Sequence, residues 1–236
     1  MRKFRELAEE AFSGCPDRAR LLGNLLAAEQ YAQVLRIGLA DGGRGPSPVL
    51  CRALDLLWDI LEGRVRVEDF QDLANHLYAG VLYRHVGESL TPEQEDFYQE
   101  HLAGLVLSSV EEELLAWVSG LLMVQTELQG GRVEHSEYAG ADRTGFVEIE
   151  DMLSLLSDYA DAAADPAAFQ ASGASRASME RALVTPLFRQ AAAGVQQALA
   201  DARSAVPAQY GALREAYRRR SLLPEEDAVR LVRGGW

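Results

Sequence analysis

Apolar residues recur at helical spacing along almost the whole chain, and the gaps between these runs hold helix-starting and helix-stopping residues. This pattern confines the fold to packed helices. Residues 17–39 are the clearest case, with Leu21, Leu22, Leu25, Leu26, Ala28, Tyr31, Val34, Leu35 and Leu39 after a plausible N-cap at Asp17. The run Asp41-Gly42-Gly43-Arg44-Gly45-Pro46 ends it. Ser47-Pro48 starts the next helix, where a proline in the first turn loses no intrahelical hydrogen bond, and Gly63 stops it. Thr91-Pro92-Glu93-Gln94 combines a hydroxyl cap, a first-turn proline and early carboxylates facing the positive helix end. The stretch Leu114–Leu128 is the most apolar and is expected to be the most buried. No Asn-Gly or Asp-Gly turn joins alternating runs, so strands are not expected.

The reading is all-α, a single multi-helix bundle of about eight or nine helices with no internal repeat. Residues 1–164 form the main bundle. Residues 165–178, rich in Ala, Ser, Pro and Gly, read as a linker or mobile loop. Residues 179–236 supply C-terminal helices, the first over about 179–205, that pack on the bundle. With 48% hydrophobic residues among 236 there is ample material for a core. No apolar run reaches the roughly 18–20 residues of a membrane span. The opening Met1-Arg2-Lys3-Phe4-Arg5-Glu6 lacks the apolar stretch of a signal peptide, so a cytoplasmic location is expected. Lys3 is the single lysine beside 22 arginines, a bias that GC-rich bacterial codon usage produces.

Charge is distributed unevenly, and this limits what the chain can bind. Residues 88–165 hold 18 acidic and two basic side chains, whereas residues 1–87 are nearly balanced and residues 166–236 carry a net +4. Such a middle third repels phosphate backbones and attracts cationic proteins. Nucleic acid is therefore not an expected partner. The carboxylates singled out for a partner surface are Glu111, Glu112, Glu113, Glu134, Glu137, Asp142, Glu148, Glu150 and Asp151. Arg218-Arg219-Arg220 is a basic counterpart that can complement a helix C-terminus or dock onto the acidic middle.

Catalytic and metal motifs are sparse. The histidines are His76, His85, His101 and His135, and none belongs to His-Glu-x-x-His or Glu-x-x-His. Asp142 to Asp151 resembles half a calcium loop around Gly145, but Gly140 stands where the first carboxylate ligand belongs. No metal or cofactor is expected. Neither a phosphate-binding glycine loop nor a nucleophile elbow is present, and Cys51 lies among Leu50, Ala53 and Leu54, where a structural thiol fits better than a reactive one.

The segment Arg52-Ala53-Leu54-Asp55-Leu56-Leu57-Trp58-Asp59-Ile60-Leu61, with Ala28-Glu29-Gln30-Tyr31-Ala32 before it, resembles the YjaG-like family of helical bacterial proteins of unknown function. It is also similar to helical immunity proteins encoded beside polymorphic toxins. The family's cysteine-glutamate-arginine and Pro-Asn-Tyr signature is replaced here by Arg36-Ile37-Gly38-Leu39 and a glycine-rich turn. In residue terms, Arg52 and Asp55 are spaced as an i, i+3 ion pair, and Trp58 follows one turn later as a core residue. The resemblance and the charge layout together imply an immunity-type inhibitor of a toxin domain, possible nucleases included, with no catalysis of its own. The competing expectations are a helical enzyme using scattered residues such as Asp55, His76, Glu100 and His101, or a scaffolding module.

Overall fold

The computed structural model describes residues 12–87, 89–134 and 146–234, with side chains from 149 onward in the last stretch. Eleven α-helices lie within these residues: α1 (Asp17–Ala40), α2 (Pro48–Glu62), α3 (Gln71–Val86), α4 (Pro92–His101), α5 (Ser109–Leu128), α6 (Phe146–Ala164), α7 (Pro166–Ser172), α8 (Arg176–Ala182), α9 (Pro186–Ser204), α10 (Tyr210–Tyr217) and α11 (Glu225–Arg233). Short 3-10 turns over Val67–Asp69 and Pro207–Gln209 lead into α3 and α10. The described residues contain no strand, so the all-α reading holds.

The bundle is built around α1. Its leucines, alanines and Tyr31 leave apolar surface on every side, and a helix apolar all round must be enclosed. Sixteen of its 24 residues are buried, against 13 of 20 in α5. The apolar Leu114–Leu128 stretch thus shares the interior with α1 rather than dominating it. Helices α9 and α11 form the most extensive packing with α1, and α2, α5 and α10 complete its surroundings. Helix α3 packs on α5 and carries α4 on its outside, while α6 lies against α5 and α9 and holds α7 and α8. Buried polar side chains fix the register of α1. Trp117 Nε1 of α5 donates to Asn24 Oδ1 at 3.1 Å, and Gln30 Nε2 donates to the Gly194 carbonyl of α9 at 3.2 Å. At its far end, Gly38 lets α11 approach so closely that a Cβ there would lie 2.5 Å from Val232.

Helix ends follow local chemistry. Thr91 Oγ1 accepts from the Gln94 N–H and the Gln94 side chain accepts from the Thr91 N–H, a reciprocal cap at the predicted start of α4. Gly63 ends α2 at φ 73°, a left-handed conformation that glycine enters without Cβ strain. Pro16, not Asp17, occupies the N-cap position of α1, and the Asp17 carboxylate instead pairs with Arg20 at 2.8 Å.

Two expectations about organisation are corrected. Residues 165–178 are not a linker: Asp165 and Ser175 cap the short helices α7 and α8, which pack on α6. The predicted helix over 179–205 is two helices, because Thr185 caps a new start and Pro186 opens α9. These breaks account for the count above nine.

Candidate functional site

Two charged constellations stand out, one enclosed and one open. The enclosed one joins the segment 28–32 of α1 to the segment 52–61 of α2. Glu29 on α1 is wholly buried, and its Oε1 accepts from Trp58 Nε1 of α2 and from Arg218 Nε, each at 2.9 Å. Its Oε2 faces Arg36 at 3.5 Å. Arg218 continues outward to Asp55, which also receives Arg214. The Arg214 guanidinium lies over the Trp58 ring, 5.4 Å from its centroid. Asp55 therefore pairs with arginines about 160 residues away rather than with its helical neighbour Arg52.

A buried carboxylate is tolerable only when its charge is matched and its lone pairs are filled, and Glu29 meets both conditions. The larger surface clefts lie elsewhere. One of about 830 Å³ lies along the start of α11 and Asp41, one of about 710 Å³ is lined by His76, Ser89, Thr91, Glu93, Gln94, Arg132 and Glu134, and another of about 580 Å³ lies around Ala163, Pro166 and Phe169. None of the residues around Glu29 lines any of these clefts, so the geometry is that of a tertiary lock between α1, α2 and the chain around α10. Cys51 belongs to the same neighbourhood. Burial pushes its thiol up from its ordinary value, with Arg36 and Arg218 opposing this and Asp55 and Glu111 adding to it, which keeps it protonated and weakly nucleophilic at neutral pH.

The open constellation comes from the predicted carboxylates, which the structure separates into groups. Glu111 is buried, and its Oε1 accepts the Ser47 N–H at 2.6 Å, so it serves the start of α2 and leaves the set of surface candidates. Glu112 pairs with Arg84 at 3.2 Å. Glu134 pairs with Arg132 and accepts from Gln94 Nε2 at 3.1 Å. Because Glu112 opens α5 and Glu134 follows its end, a helix length of about 30 Å separates the two. The nine residues are therefore not one cluster. Glu113, Glu150 and Asp151 form no ion pair among the described residues. The charge of Asp151 on α6 is felt by Glu113 on α5. Both residues are exposed, yet partial desolvation raises the Glu113 pKa above its ordinary value, with His85 pulling it down and the charges of Asp151 and Glu112 adding to the rise; partial desolvation also raises that of Asp151. Glu137 and Asp142, the calcium-like loop up to Gly145 and the Glu148 side chain lie outside the described residues.

Among the described residues the arginine run finds its partners outside the acidic middle. Arg218 goes to Glu29 and Asp55, Arg219 to Glu215, and Arg220 to Asp201. No group of three or more metal-ligating side chains forms among the described residues. His76 and His101 flank the Phe97 ring, with centroid distances of 5.7 and 4.6 Å, and Glu100 lies 3.8 Å from His101. Of the residues named for an enzyme, His76, Glu100 and His101 thus gather around Phe97, while Asp55 lies apart with Arg214 and Arg218. No helix among the described residues is long and apolar enough to cross a membrane. Sequence reasoning missed Glu29 and the arginines as a unit; a glutamate amid the leucines and alanines of α1 is the signal that pointed to a buried partner. No protein-family model, curated protein or solved structure matches the chain.

Proposed function

We propose that the chain is a binding protein of the immunity type, an inhibitor that covers a cationic surface on a toxin domain encoded beside it. The observation that carries the reading is the shoulder formed by Glu113 and Asp151, with Glu112 next to it. Among the described residues neither Glu113 nor Asp151 has an ion pair; the charges of Asp151 and Glu112 disfavour an ionised Glu113, His85 favours it, and partial desolvation disfavours the ionised form of both. Such an arrangement costs folding free energy and recovers it when an arginine or lysine of a partner arrives. The closed environment of Glu29, which leaves its carboxylate no open cleft, favours binding over catalysis.

The test measures association with the product of the adjacent gene by stopped flow across a salt series. The rate constant is expected to fall about tenfold or more between low and near-molar salt, as for steered encounters. The double variant E113Q/D151N should lose most of that dependence. The same variant should unfold at a slightly higher temperature, since it removes a few tenths of a kcal/mol of like-charge repulsion, the scale of surface charge pairs. A salt-independent rate, or neutralisation of the toxin undiminished in the variant, would refute the reading.

A further inference from the structure

We infer that the stretch 206–221, with α10 at its centre, is a polar strap that opens as a unit over α1 and α2 while the rest of the bundle stays folded. The neighbouring helices are fixed by apolar contacts: α9 buries Phe188, Ala191, Val195, Ala198, Leu199 and Ala202, and α11 buries Ala228, Leu231 and Val232. Helix α10 itself buries only Tyr210 and Tyr217, with Leu213 and Ala216 half-buried against the core, and the rest of its hold is polar. Arg214 and Arg218 reach Asp55, Arg218 reaches Glu29, and the Tyr217 hydroxyl donates to Asp201 Oδ2 at 2.7 Å.

The latch faces water at one end, because the Asp55 side chain is 57% exposed, while Glu29 beneath it is sealed. Ion pairs at an exposed carboxylate are weak and salt-sensitive, whereas apolar burial is neither. The fit is also incomplete, since Arg214 Nε is buried without a hydrogen-bond acceptor. An unsatisfied buried donor favours a state in which water reaches it. Opening therefore begins at Asp55 and uncovers the Trp58 ring and the Glu29 carboxylate, leaving Glu29 its bonds to Trp58 and Arg36. This inference stands apart from the inhibitor reading and does not depend on it.

Hydrogen exchange resolved by peptide tests it on the full chain. In the unmodified protein, amides of α10 should exchange at least tenfold faster than those of α1 and α9. Asp55→Asn, a change at an exposed site that leaves Glu29 paired, should speed α10 a further fivefold or so and leave α1 unchanged, and about 1 M salt should act in the same direction on the unmodified chain. Exchange of α10 at the rate of α1, or a rate in α10 that ignores both Asp55→Asn and salt, would overturn the inference.

Discussion

At the scale of single residues, the consequence of a charge depends on which partner is enclosed. Asp161 on α6 is buried and Arg181 on α8 is partly open, and their bidentate contact has distances of 2.7 and 2.5 Å. Removing Arg181 strands a buried carboxylate, whereas removing Asp161 leaves a guanidinium that water can reach. Arg181→Ala is therefore expected to destabilise the fold, and Asp161→Asn markedly less, as measured by urea denaturation. The hydrogen bond from Arg181 holds the Asp161 carboxyl below the usual aspartate range. A depressed native pKa means that the unfolded chain binds the proton more readily. The contribution of the pair is thus complete above the unfolded aspartate value near 3.9 and disappears as pH falls through the lower native one. The acid limb of the stability curve should flatten in the Asp161→Asn variant. Glu113 and Asp151 behave oppositely: their raised values make the ionised forms a native-state burden that protonation relieves.

At the scale of elements, close approach matters more than propensity. Gly38→Ala would place a Cβ 2.5 Å from two Val232 carbons and 2.8 Å from the Ala228 carbonyl oxygen, so α11 must retreat. Overpacking of this kind costs about 1–3 kcal/mol, and the midpoint of thermal unfolding should fall accordingly. How far such elements can be read from sequence depends on whether the determining contact is local. Thr91-Pro92 announced α4 because a cap and a proline act within one turn. Thr185-Pro186 carries the same chemistry but sits inside an apolar pattern that runs on past it, and periodicity concealed the break. Residues 165–178 have the composition of a loop, yet Asp165 Oδ1 accepts from the Ala168 N–H at 3.0 Å and Ser175 Oγ from the Ser178 N–H at 3.3 Å, and each cap starts a seven-residue helix. The charged hub was beyond such reasoning. Arg52 and Asp55 have helical spacing, but nothing in a one-turn window reveals that arginines at 214 and 218 compete for that carboxylate. Glu111 shows the converse, since three consecutive glutamates look alike until α2 is brought against the first of them.

At the scale of the whole molecule, the central helix makes distant parts of the chain interdependent. Helices α9, α10 and α11 supply much of the surface that encloses α1, so the portions before and after residue 178 share one core and neither is complete alone. A chain ending at residue 178 would expose the faces of α1 that α9 and α11 cover. It is expected to lack a cooperative thermal transition and to bind hydrophobic dyes, as judged by calorimetry and fluorescence. Cooperative unfolding of that fragment would contradict the single-core description.

The contact between Gly38 and Val232 also has a bearing on biosynthesis. Helix α11 ends about 190 residues after α1 ends. At roughly 5–20 residues per second, a ribosome needs on the order of 10–40 s to deliver the second after the first. During that interval a leucine-rich rod stands outside the ribosome or in the hands of a chaperone with its final neighbours still unmade. Rapid translation, low temperature or holdase capacity should accordingly govern soluble yield more than the equilibrium stability of the finished chain does.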